Sequence, residues 1–306
     1  MGVETKIEWC HHTWSPWHGC QRVSEGCRNC YAERQSKRNP SILGVWGPNG
    51  TRVISKSWDK PLAMDRAAAK AGERRRNFPS VCDWLEDRPE LDAPRARFLK
   101  LIFETSNLDH LLLTKRPENF RPLMERLSKF SATHGGHVAW EWLNGNPPEN
   151  VWLGVSVEDQ ATADARIPAL LDIPAALRWV SYEPALGPVD FRHWLNPHRH
   201  VLPDTFGLSP PPPSINWTVV GGESGPNARP FDIQWARDTI RQCRAANVPV
   251  FVKQLGRHPF DGLWTMRGFD YPTEPCYLHI RHKKGGDPLE WPEDLRVREI
   301  PEGGGA

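Results

Sequence analysis

The chain has 306 residues, enough for one large core and within the usual size of a single α/β domain. Apolar residues make up 39% and no apolar run approaches the length of a helical membrane span, so neither a helical membrane protein nor a membrane partner is expected. The formal net charge of +2 gives no general attraction for nucleic acid, while 30 prolines imply many fixed turns and 15 tryptophans suit either a core or a platform for flat ligands.

In chain order, Tyr31 to Arg38 reads as a short helix and Lys60 to Arg76 as a second one, built around Ala67, Ala68 and Ala69. Phe78 to Cys82 reads as a weak strand, because Pro79 cannot donate to a central ladder. Ala93 to Glu104 is amphipathic, with Phe98, Leu101 and Ile102 on one side. The apolar run Leu108 to Leu113 leads through Thr114-Lys115-Arg116-Pro117 into a helix over Glu118 to Lys129, with Pro117 suited to its first turn. His134 to Pro148 holds Gly, Asn and Trp and reads as an excursion. Val151 to Val157 is a strand ending in Ser156-Val157-Glu158-Asp159, and a helix follows to Leu171. Leu177 to Val180 ends in Ser181-Tyr182-Glu183-Pro184. Pro203 to Ser214, with four consecutive prolines from Pro210, reads as a stiff polyproline-like connection. Asn216 to Val220 ends in Gly221-Gly222-Glu223-Ser224-Gly225, with a helix over Ile233 to Ala246. Val248 to Val252 ends in Lys253-Gln254, and Gly303 to Ala306 reads as a flexible tail.

Short, nearly continuous apolar strands alternating with helices specify a parallel sheet covered by helices. The expected fold is α/β, a partial or full parallel βα barrel formed as one domain over residues 1–306. Ligands of such barrels lie at the C-terminal ends of the strands. Lys115, Arg116, Glu158, Asp159, Glu183, Glu223 and Lys253 all follow strands, and so many charges are expected to meet a ligand, with two or three of them paired as structural salt bridges. Three basic runs stand apart: Arg34, Lys37 and Arg38; Lys70 and Arg74 to Arg76; and Arg281 to Lys284. Each taken singly reads as a solvated face.

The chemistry is most concentrated in residues 10–34, where Cys20, Cys27 and Cys30 follow a C-x6-C-x2-C spacing. Three thiolates within eleven residues can converge on one inorganic centre, and a 4Fe-4S cluster held by three of them leaves one iron open for a small molecule. A structural zinc is the rival, with His18, His11, His12 or Cys10 as fourth ligand. A second C-x2-C pair would favour zinc, but Cys82, Cys243 and Cys276 stand alone. Disulfides are less suited to an odd count of seven cysteines in a chain without a secretory leader, and a reduced, cytoplasmic setting is expected. A cluster loop followed by βα repeats suggests a radical S-adenosylmethionine (SAM) enzyme.

Beyond these local readings, the chain resembles the three-cysteine phage and bacterial family of radical-SAM-like proteins, long catalogued as a domain of unknown function. The resemblance covers about residues 5 to 292. It rests on Thr5-Lys6-Ile7-Glu8-Trp9, Gly19-Cys20 through Cys27 and Cys30-Tyr31-Ala32-Glu33-Arg34, Leu112-Leu113-Thr114-Lys115-Arg116-Pro117-Glu118-Asn119, and Asn150 through Gln160. It continues through Ser181-Tyr182-Glu183-Pro184, Gly221 through Pro226 with Ala228-Arg229-Pro230, and Lys253-Gln254. The chain departs from the family at Ser80-Val81-Cys82-Asp83, one residue shorter than usual, at Leu255 in Lys253-Gln254-Leu255-Gly256, and at Cys10.

The resemblance implies a 4Fe-4S cluster on Cys20, Cys27 and Cys30 and SAM as second cofactor, cleaved by one electron to methionine and a 5′-deoxyadenosyl radical. It places Gly221, Gly222, Glu223, Ser156, Glu158 and Ser181 around SAM. Lys115, Arg116, Gln254 and Arg229 fall to the substrate, and Lys253, Glu183 and Asp83 to catalysis. Phage members imply DNA as partner: a thymine bearing an amino acid, flipped from the duplex, whose attachment moves from nitrogen to carbon in a radical isomerisation. A flavodoxin or ferredoxin would supply the electron, in the host cytoplasm. The alternatives are radical repair of a DNA lesion, modification of a peptide or metabolite, and a zinc-stabilised nucleic-acid-binding module without enzymatic activity.

Overall fold

A computed structural model describes residues 5, 7–129, 134–195, 212–263 and 275–302. The chain falls into two compact units, Met1–Ser156 with Ala165–Trp179 and Pro301–Ala306, and Val157–Asp164 with Val180–Ile300. Its elements in order are β1 (Trp17–His18), α1 (Tyr31–Arg38), α2 (Pro40–Leu43), β2 (Val53–Ile54), α3 (Asp59–Ala71), β3 (Arg75–Asn77), α4 (Asp92–Glu104), β4 (Leu108–Thr114), α5 (Phe120–Ser128) and α6 (His134–Leu143). There follow β5 (Val151–Val157), α7 (Gln160–Leu171), β6 (Leu177–Tyr182), α8 (Arg192–Leu195), β7 (Trp217–Gly221), β8 (Phe231–Asp232), α9 (Ile233–Ala245), β9 (Val250–Gln254), β10 (Pro259–Leu263) and β11 (Pro275–Tyr277).

The main sheet orders its six strands β3-β4-β5-β6-β7-β9. Its pairings β3–β4, β4–β5 and β7–β9 are parallel. Among the described residues it is open at β3 and β9, so the fold is α/β and matches the partial form of the expected barrel.

In the first unit, β5 is buried at every position, which its unbroken apolar sequence requires of a strand covered on both faces. Gly154 within it lies flat against Trp179: a Cβ there would come 2.4 Å from the indole Cε2. Helices α4, α5 and α6 pack on one another, burying Phe98, Leu101 and Ile102 from α4 and Leu123, Met124 and Leu127 from α5. Each such side chain contributes about 1.5–3 kcal/mol by leaving water. Nine tryptophans, Trp9, Trp14, Trp17, Trp84, Trp142, Trp152, Trp179, Trp217 and Trp291, are fully buried, so most of the tryptophan excess is core.

In the second unit, α9 starts where the Asp232 carboxylate accepts the Gln234 N–H at 2.9 Å, and it buries Ile233, Ala236, Ile240 and Cys243. That face packs toward β7 and β9, where Trp217 and Phe251 meet edge to face at 6.5 Å.

Several boundaries differ from the sequence expectation. The helix expected over Lys60 to Arg76 stops at Ala71, because Gly72 (φ 68°) turns left-handed and caps it, and Arg75–Asn77 then becomes the edge strand β3. Phe78 to Cys82 is therefore irregular, not a strand. The excursion expected over His134 to Pro148 is mostly helix α6, whose Trp142 stacks on Trp84 at 5.8 Å. The helix expected from Glu118 begins as a 3₁₀ turn over Pro117–Asn119. Residues 203–211 of the proline-rich connection and the tail at 303–306 lie outside the described residues.

Candidate functional site

The cysteine loop is fixed by backbone geometry on both sides. Gly19 has φ 109°, a conformation that side chains resist, and its N–H donates to Val81 O at 3.1 Å. The next residue is Cys20, whose carbonyl accepts from Gly47 N at 3.0 Å. Cys27 ends a short 3₁₀ turn over Glu25–Cys27, and Cys30 is the residue before the first turn of α1. Tyr31 Oη donates to Ser80 O at 2.8 Å. The irregular stretch after β3 thus serves as a brace for the loop. A second brace is the Arg52–Glu86 pair, almost wholly buried at 0% and 3% side-chain exposure. Arg52 also donates to the carbonyls of Val45, Gly47 and Gly50.

Asp83 and Arg116 join this loop to the end of β4. Asp83 Oδ1 accepts from Thr114 Oγ1 at 2.7 Å and from Leu85 N at 3.1 Å. Its Oδ2 accepts from Lys115 N at 3.0 Å and from Arg116 Nη1 at 2.6 Å. The same guanidinium reaches Cys20 Sγ at 3.7 Å and Gln21 O at 2.7 Å. Asp83 and Arg116, expected respectively in catalysis and on the substrate, are both engaged in holding the loop. Lys115 Nζ lies 2.6 Å from Ser156 Oγ, which brings together the C-terminal ends of the paired strands β4 and β5.

Burial pushes the Cys20 thiol up to about 12, with Asp83 adding to the rise and Arg116 opposing it. Burial also raises Cys30, against the backbone N–H groups of Glu33 and Ala32. Burial would lower Arg116, but the charges of Asp83 and Cys20 outweigh it and raise it instead. None of the seven cysteines, all of them among the described residues, is in a disulfide. Among the described residues no group of three or more His, Cys, Asp or Glu side chains is placed to hold a metal ion. Of the candidate fourth ligands, His18 Nδ1 is 2.8 Å from Ile42 O and His11 Nδ1 accepts from Arg76 N at 2.9 Å. A 4Fe-4S cube takes each thiolate on a different iron, and three partly exposed cysteines of one loop, the first beside a buried cation, fit that donor set.

The second unit gathers its own strand-end residues. Lys253 Nζ and Glu183 Oε2 are 2.6 Å apart, with 23% and 12% side-chain exposure. Ser181 Oγ is 3.4 Å from Glu183 Oε1. A Cβ at Gly221 would stand 3.3 Å from Glu183 Oε2, so the glycine lets the carboxylate approach the β7 backbone. Gln254 Nε2 donates to Gly222 O at 2.9 Å, and Gly222 N to Gln254 O at 3.0 Å. Glu223 is gripped by Arg229 through Nη2 at 2.8 Å, Nε at 3.0 Å and the backbone N–H at 2.9 Å. Glu158 is buried, and its carbonyl accepts from Leu186 N at 2.7 Å. Asp159 caps α7 by accepting the Thr162 N–H at 2.9 Å.

Of the basic runs, Arg74 is bonded to Asp109 at 3.0 Å through Nε, Arg75 to Glu73 and Arg76 to Trp9 O, so that run holds structure together. Arg281, Lys283 and Lys284 are exposed, as are Lys37 and Arg38. The Arg116 bridge and the Arg52–Glu86 brace escape a sequence reading, because each joins residues 33 to 96 positions apart. The one local signal was the charged end of β4.

The fold and this site define an α/β protein that carries a three-cysteine loop at the end of a parallel strand. Residues 4–290 match the family described as "Protein of unknown function (DUF5131)", and the chain belongs to that family. No curated protein matches. Among solved structures the chain is similar to "Spore photoproduct lyase complexed with dinucleoside spore photoproduct", at 12% identity and a TM-score of 0.40, covering 90% of this chain and 73% of that one. Among the described residues no helix is long and apolar enough to cross a membrane.

Proposed function

We propose that this chain is a radical SAM enzyme, holding a 4Fe-4S cluster on Cys20, Cys27 and Cys30 and SAM on the iron they leave open. The observation that carries the reading is the loop itself: three free thiols in eleven residues, with the first sulfur beside a buried guanidinium. When bound, the pair of cofactors supplies one-electron cleavage of the sulfonium S–C5′ bond, and hydrogen abstraction by the 5′-deoxyadenosyl radical.

The chain's own residues bind, orient and exclude water. Ser181, Ser156 and Glu158 are assigned as polar partners of SAM, while the space over Gly221 and Gly222, expected to admit the ligand, is taken by Glu183 and Gln254 and by Leu255 and Phe231. Glu223 acts through Arg229, which it holds by three hydrogen bonds. Lys253 and Lys115 are each assigned to an anionic group of the substrate, and Gln254 to its polar contacts. Glu183 holds the Lys253 ammonium until that anionic group arrives.

The substrate we propose is DNA carrying an amino-acid adduct on thymine, isomerised by radical transfer of the attachment from nitrogen to carbon. The exposed basic residues Arg281, Lys283 and Lys284, together with Lys37 and Arg38, support this reading. Phosphate contacts release counterions, so binding to duplex DNA then weakens steeply with salt.

The test is anaerobic purification with iron and sulfide analysis, followed by reduction in the presence of SAM. Methionine and 5′-deoxyadenosine are expected. Zinc without sulfide returns the chain to a binding module, and S-adenosylhomocysteine makes it a methyltransferase. Nucleoside mass spectrometry of DNA co-expressed with and without the chain tests the substrate: an unchanged nucleoside profile removes DNA.

A further inference from the structure

Arg116 stands out among the buried charges, because its guanidinium is shared between a carboxylate and a cysteine. It is 7% exposed and lies just beyond β4. Asp83 holds it at 2.6 Å through Nη1, and the carboxylate is itself fixed by Thr114 Oγ1, Leu85 N and Lys115 N. The rotamer is thus set before any ligand is present. What remains of the fork points into the cysteine loop, with Nη1 at 3.7 Å from Cys20 Sγ and Nη2 at 2.7 Å from Gln21 O.

Burying a cation costs several kcal/mol unless it is paired, and one carboxylate already pairs this one. Asp83 and a carbonyl alone would suffice for a structural role. The guanidinium also reaches the sulfur of Cys20, and hydrogen bonds to cysteine sulfurs and nearby charge are the levers by which a protein sets a cluster's reduction potential.

We propose that Arg116 is a positioning residue that donates to the Cys20 thiolate and raises the reduction potential of the cluster, with Asp83 as its anchor. The inference rests on the radical SAM reading above. A positive charge and an N–H beside one ligand sulfur favour the reduced, more negative cluster over the oxidised one. Lys115, the next residue, is directed instead to Ser156 and does not duplicate this role.

The experiment is a redox titration of the anaerobically loaded full chain, followed by electron paramagnetic resonance, on wild type and Arg116→Gln at matched iron content. Arg116→Gln is expected to shift the reduced-to-oxidised ratio at fixed potential about tenfold toward oxidised, which is 59 mV more negative for a one-electron couple. An unchanged midpoint potential overturns the proposal. A second measurement needs no variant. Wild-type protein labelled with ¹⁵N-arginine is expected to show ¹⁵N hyperfine coupling to the reduced cluster, and its absence overturns the proposal even where Arg116→Gln does not fold. If wild type binds no iron and sulfide, the radical SAM reading falls and this inference falls with it. If wild type loads a cluster and only these two measurements fail, the inference alone is lost.

Discussion

Lys253 Nζ and Glu183 Oε2 lie 2.6 Å apart, one on β9 and the other just after β6, so a cation and a carboxylate arrive at the strand ends already paired. Both side chains keep some contact with solvent, so the pair contributes at most about 1 kcal/mol to stability. Its value is placement. Lys253→Ala is expected to leave thermal unfolding nearly unchanged while lowering formation of the modified nucleoside by roughly 10²-fold, the low end of what a positioned proton-transfer or charge-stabilising group supplies. Wild-type turnover in that variant removes the pair from the mechanism.

The three loop cysteines are expected to behave differently from Cys82, Cys243 and Cys276. Cys20→Ala, Cys27→Ala and Cys30→Ala are each expected to abolish the visible iron–sulfur absorbance. Cys82→Ala and Cys276→Ala retain it, as does Cys243→Ala, whose thiol faces α9 packing far from the loop in sequence. A full iron complement in any of the first three variants refutes the ligand assignment.

Glu86 anchors Arg52 with both side chains almost fully buried. Removing one partner leaves a buried charge uncompensated, so Glu86→Ala is expected to cost about 3–5 kcal/mol in urea unfolding. Arg52 also ties down the carbonyls of Val45, Gly47 and Gly50, next to the cysteine loop, so iron loading falls as well. Undiminished loading would show that the loop forms without this brace.

His110 sits in the middle of the buried strand β4 with Nε2 at 2.8 Å from Thr105 Oγ1. Burial, with a smaller contribution from Arg74, lowers its pKa to about 3 from 6.5. The folded state therefore holds the neutral ring, and the unfolded state takes up a proton first. Stability is fully present above about pH 6.5 and falls as the pH drops toward 3, at up to about 1.4 kcal/mol per pH unit from this group. His110→Gln removes that component. The check is urea unfolding of both proteins at pH 7 and pH 5; parallel losses would rule out His110 as the source.

Much of the fold was legible in the sequence wherever a pattern was local. Val151–Val157 is a strand as expected, because an unbroken apolar run fits a strand covered on both faces. Tyr31–Arg38 and Gln160–Leu171 are helices as expected. The misses occur where one residue overrides a propensity. Gly72 ended a helix that the alanines around it favoured, and Arg75–Asn77, three polar residues, form a strand only because β4 offers a ladder beside them. Tryptophan abundance was equally compatible with stacking and with a core, and only burial separates the two.

The site divides in the same way. Sequence by itself determined the three cysteines, their spacing, and the charged residues that follow the strands, because thiolates on one loop and polar strand ends are properties of neighbours in the chain. Tertiary structure decided what those charges do. It gave Arg116 to Asp83 and Cys20, Glu223 to Arg229, Lys253 to Glu183 and Lys115 to Ser156. Each partner lies between 6 and 96 positions away. Such pairings depend on which strand ends the sheet brings side by side, and hydrogen bonds act only over about 3 Å, so no local pattern in the chain encodes them.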